Sequence, residues 1–247
     1  MRKLTMVSVL AATIATVAAT ATAAGPVDLW NDHESGDGKP LTSGVGYRAS
    51  LFPLPITIRA TDELWEGAQD LHTSGIHEGE PRKGGTFAFV ILRHKYARDA
   101  KGKVTNWGRG RITIETGFAP SGSVEATMAR LRGRLEDFRT VSDVSAVHIA
   151  GFRGLSYDGH LKDGARSFHR FVPFSSSDGS RPTTDSRKIF TNYGKGPAFR
   201  VTVLNVRGRT VVVYLDSETA PPEKFPGFLH FANRLLATLT VSAAKGG

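Results

Sequence analysis

The amino-acid sequence predicts an α+β fold in which an antiparallel β-sheet is covered by two main helices. Two observations support this prediction. Segments with strand-like patterns follow one another in hairpin-linked runs, and helical periodicity occurs in only two places, near the middle of the chain and near its end. Strands and helices segregated in this way are typical of an antiparallel sheet, whereas a doubly wound parallel sheet requires that they alternate.

The start of the 247-residue chain has the pattern of an export signal. Two basic residues, Arg2 and Lys3, precede a short apolar run, and the small residues Ala21-Thr22-Ala23 match a signal-peptide cleavage site. We therefore expect a signal peptide over residues 1–23, cleaved after Ala23, and a mature protein that is secreted, either extracellular or periplasmic. An uncleaved anchor is the alternative, which the short Ala- and Thr-rich run disfavours. No second apolar run has spanning length, so no transmembrane segment is expected in the mature chain.

The rest of the sequence divides into a leader, one domain and a tail. Residues 24–50 are rich in Gly, Asp and Ser, which predicts an irregular N-terminal leader that lies across the domain through Trp30 and Tyr47. Residues 51–242 are expected to form a single α+β domain, followed by a tail at residues 243–247. The chain contains no cysteine, which excludes disulfides and thiolate metal sites, so the fold depends on its core.

The first predicted strands come from β-rich segments that polar loops separate. Leu51 to Ala60 contains two prolines, which suit an edge strand because proline has no backbone N–H to donate. A turn at Trp65 and a polar loop from Glu66 to Gly85 follow. Thr86 to Arg93 is apolar on both faces and is therefore predicted to be a central strand, and Arg111 to Phe118 alternates like a strand with one wet face.

Both helices are predicted from apolar residues that recur every three or four positions. Ser121 to Arg139 can be capped by Ser121 or Ser123, and Ala220-Pro221-Pro222 opens the final helix. The remaining predicted strands cover residues 145–149, 152–161, 167–174, 199–206 and 210–216. A polar loop from Ser175 to Lys188 lies among them.

Several passages in this order resemble a known family. They are a strand near PITIRATDELW, a helix at SVEATMARLRGRL, the passages Gly151–Tyr157 and Arg207–Ser217, and a closing helix FLHFANRLLATLTV. The sequence resembles exported actinobacterial-type domains with the PsbP-like α+β fold over most of residues 51–241. Members of that fold mostly act as accessory or binding subunits, so the resemblance implies a non-catalytic role and transfers no site residue.

The segment Gly151 to Phe171 is the first candidate for chemistry. Asp163-Gly164 favours a two-residue hairpin turn, which sets Asp158 opposite His169 and places both on one face with His160. Two imidazoles and a carboxylate at such spacing can share a metal or a proton. A solvated strand face has the same composition, however, and offers a zinc ion no enclosure. We therefore predict no catalytic and no metal residues, with Asp158, His160 and His169 as the alternative catalytic set.

The second candidate is the basic segment between the strands at residues 86–93 and 111–118. The formal net charge is +9, which removal of Arg2 and Lys3 lowers by two to +7. Such an excess favours anionic envelope polymers or lipid headgroups, although it also keeps a protein in solution without further purpose. Cations and aromatic rings cluster in this segment, and the predicted ligand-binding residues are Lys95, Tyr96, Arg98, Lys101, Lys103, Trp107, Arg109 and Arg111.

The sequence thus predicts an exported, non-catalytic accessory or binding domain that takes a partner protein or an anionic envelope polymer through this basic and aromatic loop. The alternative is a secreted, metal-assisted hydrolase that uses the face of Asp158, His160 and His169. A third class, a small-molecule carrier, requires an apolar pocket between sheet and helices. No cofactor is predicted, and no nucleic acid is expected as a partner, because one short basic helix between hairpins supplies no DNA-reading motif.

Overall fold

A computed structural model describes ten stretches of the chain: residues 25–31, 38–52, 54–73, 86–95, 101, 109–116, 123–133, 139–161, 198–217 and 222–242. The predicted signal peptide, the C-terminal tail and the loop from Ser175 to Lys188 lie outside these residues. The predicted strand at residues 167–174 and the turn that precedes it also lie outside them.

The described elements are strands of two to ten residues and two α-helices. The strands are β1 (Val27–Asp28), β2 (Trp30–Asn31), β3 (Lys39–Pro40), β4 (Gly46–Ala49), β5 (Ile56–Arg59), β6 (Trp65–Thr73), β7 (Thr86–Lys95), β8 (Arg109–Thr116), β9 (Arg139–Val141), β10 (Ser145–Ile149), β11 (Phe152–Leu161), β12 (Ala198–Val206), β13 (Arg209–Asp216) and β14 (Thr240–Val241). The helices are α1 (Val124–Gly133) and α2 (Phe225–Leu236), and a 3-10 turn at Pro222–Lys224 precedes α2.

Two separate sheets form from these strands. The larger sheet has the order β10-β11-β12-β13-β8-β7-β6-β2, with β3 beside β6 and β9 beside β11. Its neighbours from β10 to β6 are antiparallel, whereas β2 runs parallel to β6. The smaller sheet has the order β1-β4-β5-β14. The prediction that the segment Thr86 to Arg93 is a central strand is confirmed, because β7 pairs with β6 on one side and β8 on the other.

The prediction of one sheet covered by two main helices is wrong. Most of the described chain is strand, and each face of the larger sheet packs against one described α-helix only. Helix α2 shares its face with the smaller sheet, so that layer is part helix and part sheet. Strands of two to four residues build the smaller sheet, and pieces this short leave no periodicity that a sequence pattern can reveal.

Strand β6 (Trp65–Thr73) replaces the turn and the first part of the polar loop that the sequence predicts after Trp65, and the rest of that predicted loop, residues 74–85, lies outside the described residues. The polar residue Gln69 of β6 is buried, and its amide group is fully used. The Gln69 Nε2 donates to the Leu29 carbonyl at 2.9 Å and to the Ser50 hydroxyl at 3.1 Å, and its Oε1 accepts from the Leu51 N–H at 2.8 Å. A polar side chain can therefore sit inside the sheet here because the N-terminal segment satisfies it.

The N-terminal segment, predicted as an irregular leader, contributes four strands to the fold. Leu29 and Leu41 are buried in the main core. Tyr47 is also buried, and its hydroxyl accepts the Thr42 N–H at 2.8 Å. Trp30, by contrast, remains exposed, with the Lys39 ammonium group 3.2 Å from its ring centroid. Of the two aromatic anchors that the sequence predicts for this segment, Tyr47 is the buried one.

The core lies on both faces of the larger sheet. On the α2 side it gathers Trp65 of β6, apolar residues of β7, β8 and β13, and the helix residues Phe228, Leu235 and Leu236. On the α1 side, Met128 and Leu131 pack against the inner residues of β11, β12 and β13. The Ser123 hydroxyl accepts the Ala126 N–H at 3.1 Å, which is the N-terminal cap that the sequence predicts for α1. Neither α1 nor α2 is long and apolar enough to cross a membrane.

Candidate functional site

The hairpin predicted at Asp163-Gly164 does not fit the pairing of β11. Asp158 lies opposite Arg200 of β12, and His160 lies between Ala198 of β12 and Thr140 of β9. Both edges of β11 are therefore occupied where the predicted partner strand would pair, and the predicted register is wrong. Strands distant in the sequence take these edges, and a local turn motif carries no information about that competition. His169 itself lies outside the described residues.

The carboxylate of Asp158 is held by a guanidinium. Arg200 donates from Nε to Oδ1 at 2.6 Å and from Nη2 to Oδ2 at 2.8 Å, so the pair is bidentate. This hydrogen bond to Asp158 raises the pKa of Arg200, which stays charged. His160 is exposed, and no group of three metal-ligating side chains occurs in the described part of the chain. Both oxygens of Asp158 thus serve the ion pair in this arrangement.

A cluster of charged side chains crosses the α1 side of the larger sheet where β7 and β8 approach their connecting loop. Glu66, Arg93, Arg111 and Asp216 lie directly opposite one another along the strands β6, β7, β8 and β13. Lys95 and Arg109 form the next pair toward the loop on the same face. We call these six residues, Glu66, Arg93, Lys95, Arg109, Arg111 and Asp216, the hairpin-root cluster.

The ion pairs of the hairpin-root cluster differ in burial. Arg111 donates from Nε and Nη2 to the same oxygen of Asp216, at 3.1 and 2.6 Å, and both side chains are 1% exposed. The other carboxylate, Glu66, contacts the ammonium of Lys95 and lies 3.7 Å from Nη2 of Arg109. Those two cations keep 27% and 20% of their side-chain surface exposed. Arg111 therefore acts as part of the core, while Lys95 and Arg109 reach solvent.

Charge is not balanced at the solvent end of the hairpin-root cluster. There, two cations, Lys95 and Arg109, share one carboxylate of the described residues, that of Glu66. Residues partly shielded from solvent interact more strongly with an added anion than fully exposed ones do, because their local dielectric constant is lower. The cluster can thus accept an anion at its solvent end, next to Lys95 and Arg109.

The remaining predicted ligand-binding residues belong to the loop that begins at this cluster. Lys101 is exposed, and the structure describes it. Tyr96, Arg98, Lys103 and Trp107 lie outside the described residues, and a ligand-binding role for them stays a prediction. No local sequence signal indicates that Glu66 and Asp216 lie beside this loop, because they come from strands 30 or more positions away from it.

His94 points away from this cluster into the core beneath α2. Its Nε2 is 3.2 Å from each carboxylate oxygen of Asp62, and its ring stacks on Phe231 at 4.4 Å and meets Trp65 edge-on at 4.7 Å. Burial lowers the pKa of His94, an effect that Asp62 opposes in part. This imidazole is therefore neutral near pH 7 and structural in its contacts.

No protein-family model and no curated protein sequence matches this chain. The likeness to PsbP-like domains stays a prediction from the sequence.

Proposed function

We propose that this protein is an exported, non-catalytic binding domain that takes an anionic polymer at the β7–β8 hairpin. The observation that carries the proposal is that Lys95 and Arg109 share one described carboxylate, Glu66, and keep 27% and 20% of their side-chain surface exposed. Export is proposed from the basic and apolar start of the sequence, which resembles a cleavable signal peptide. The absence of disulfide-forming cysteine is compatible with an exported domain that is held by its core.

The loop sequence extends the same charge. Residues 96–108 contain three cations, Arg98, Lys101 and Lys103, and one carboxylate, Asp99. The loop thus adds two further positive charges to those at its root. A ligand with regularly spaced negative charges can engage the root and the loop together, whereas a single small anion engages only one of them. A polymer is therefore the ligand class that this charge distribution favours.

Two aromatic residues give the loop a second kind of contact. Tyr96 directly follows Lys95, and Trp107 precedes Arg109 by two positions. Flat rings next to cations suit a ligand that carries both sugar rings and acidic groups, because the rings stack while the cations pair. This composition favours an acidic envelope polysaccharide over a partner protein.

The proposal is tested by binding of the purified protein to immobilised poly-L-glutamate, with poly-L-lysine as the reference surface. The variant Lys95→Gln/Arg109→Gln removes the two solvent-reaching cations of the cluster. Partly exposed ion pairs contribute about 0.7 kcal/mol each, so we expect a loss of about 1.4 kcal/mol, or about tenfold in affinity. Thermal unfolding of the variant establishes that it is folded.

The matched control is Arg209→Gln/Lys224→Gln, which lowers the net charge by the same amount at two exposed positions elsewhere. We expect this control to bind poly-L-glutamate within twofold of the unmodified protein. Equal losses in the two double variants would show that binding follows net charge alone and would refute a localised site. Equal binding to poly-L-lysine would refute recognition of anions.

A further inference from the structure

A cavity lies on the face of the larger sheet opposite the hairpin-root cluster, between the C-terminal half of α2 and the β10–β11 hairpin. Its volume is about 300 Å³. Strands β11, β12 and β13 form the floor, with Ser156, Thr202, Arg200 and Leu215. The walls are Val147, His148, Ile149 and Ala150 on one side and Asn233, Leu236 and Ala237 on the other. We call this cavity the α2 groove.

The hydroxyl groups on the floor of the α2 groove are used internally. The Ser156 hydroxyl donates to the Val201 carbonyl at 3.0 Å, so the contact of 2.9 Å between Ser156 and Thr202 requires Thr202 as its donor. Both residues are buried. Their polar groups therefore hold β11 to β12, and the walls beside them are mostly aliphatic. On the floor, the polar group that remains for a ligand is the guanidinium of Arg200, and the walls add the side chains of His148 and Asn233.

Arg200 is held in place with part of its hydrogen-bonding capacity unused. Asp158 accepts from its Nε and Nη2, which fixes the plane of the guanidinium. Within the described residues, the two N–H groups of Nη1 have no protein partner, and 29% of the side chain is exposed. A guanidinium fixed in this way is preorganised to bind a second carboxylate, because little side-chain entropy remains to be lost.

The wall of the α2 groove contains a strained residue. Ala150 has φ +50° in the turn between β10 and β11, a backbone conformation that residues other than Gly, Asn and Asp rarely adopt. Arg207 has φ +53° in the equivalent turn between β12 and β13, and its guanidinium donates to the carbonyls of Val241 and Ser242, both at 2.7 Å. Ala150 and Gly151 both have positive φ, as the two central residues of a type I′ hairpin turn require, and Ala150 also belongs to the lining of the groove.

The end of α2 does not exclude an anion from the groove. A helix C-terminus carries partial negative charge on its last free carbonyls. Here the carbonyls of Asn233, Leu235 and Leu236 accept the N–H groups of the three residues that follow the helix. The negative end is thereby largely satisfied, and Arg200 is the permanently charged side chain in the lining.

We infer that the α2 groove binds a small aliphatic monocarboxylate, whose carboxylate meets Nη1 of Arg200 and whose chain lies between α2 and β10. The volume corresponds to that of about ten water molecules at roughly 30 Å³ each, which fits a ligand of the size of octanoate. This site is separate from the polymer site proposed above, because it lies on the other face of the sheet. Either proposal can fail without the other.

The test is isothermal titration of the purified protein with octanoate and, separately, with 1-octanol, which has the same chain without the carboxylate. We expect octanoate to bind at least tenfold more tightly than 1-octanol. Arg200→Gln should abolish this preference and leave the affinity for 1-octanol unchanged. Arg153→Gln is the matched control, because Arg153 is an exposed arginine on β11 that lies outside the groove.

A second variant is needed because Arg200→Gln leaves Asp158 without its partner and can therefore misfold. Ala237→Phe places a ring at the exposed mouth of the groove without touching the ion pair, and it should weaken both ligands at least fivefold. Absence of octanoate binding to the unmodified protein would overturn the inference. Equal affinity for the two ligands, or equal effects of Arg200→Gln and Arg153→Gln, would overturn the assignment of the carboxylate to Arg200.

Discussion

The buried ion pair of Arg111 and Asp216 should make a large contribution to the free energy of unfolding. Replacing Asp216 with Ala leaves the Arg111 guanidinium buried without its carboxylate. Both side chains are 1% exposed, and two charge-assisted hydrogen bonds are lost. Hydrogen bonds to charged groups contribute about 1.5–3 kcal/mol each, and breaking a buried pair costs about 3–5 kcal/mol. We therefore expect Asp216→Ala to lower the free energy of unfolding by about 4 kcal/mol.

The partly exposed pair of Lys95 and Glu66 supplies the comparison. Lys95→Met should cost only about 0.5 kcal/mol, as exposed ion pairs do. The double variant Arg111→Met/Asp216→Leu should regain most of the lost stability, because apolar residues can replace a buried ion pair. Urea unfolding monitored by circular dichroism measures all three. A cost below about 1 kcal/mol for Asp216→Ala would refute the assignment of this pair to the core.

Three further predictions concern other parts of the molecule. Burial lowers the pKa of His94 below its ordinary value of 6.5, so the unfolded chain binds more protons than the folded one, and the free energy of unfolding should fall as the pH drops through and below 6.5. Urea unfolding at pH 7.5 and 5.0 should show this loss, and His94→Gln should reduce it. An unchanged pH dependence in the variant would exclude His94 as its source. Gly110→Ala should destabilise the protein by about 2 kcal/mol, because a Cβ there overlaps the buried ring of Phe228; a melting temperature equal to that of the unmodified protein would contradict this packing. The exported protein should begin at Ala24 when its N-terminus is sequenced, and an intact Met1 would contradict the predicted cleavage.

The sequence is sufficient to predict features that depend on residues a few positions apart. The serine cap of α1 is an example, since Ser123 bonds an amide three positions away. The apolar stripe of α2 is another, because Phe228, Leu235 and Leu236 are all buried as their spacing predicts. The central position of β7 also followed from its own composition, because a strand that is apolar on both faces needs cover on both.

Pairing between distant segments could not be predicted in this way. Asp158 and Arg200 are 42 positions apart in the sequence, and no local turn indicates their contact. The polar residues around Gln69 predict a loop after Trp65, yet Leu29, Ser50 and Leu51 bind that amide from 18 to 40 positions away. The space beside Gly159 is likewise filled from a distance, by the ring of Phe199, which lies 40 positions further along the sequence.

The same limit applies to the candidate site. The sequence located the cations of the β7–β8 hairpin, including Lys95 and Arg109, but not the carboxylates that face them. Glu66 was assigned to a loop, and Asp216 to a strand with no stated neighbour. Only the register of four adjacent strands shows that Arg111 is neutralised and buried while Lys95 and Arg109 retain an excess of charge.

The salt dependence of polymer binding tests the central claim most directly. The affinity of the unmodified protein for poly-L-glutamate is measured from low to high sodium chloride, and the slope of log Kd against log salt is compared with that of Lys95→Gln/Arg109→Gln. Loss of two cations from the binding site should make the slope shallower, because fewer charges are paired with the polymer. Two parallel lines would contradict the account, since they would place the polymer away from these two side chains.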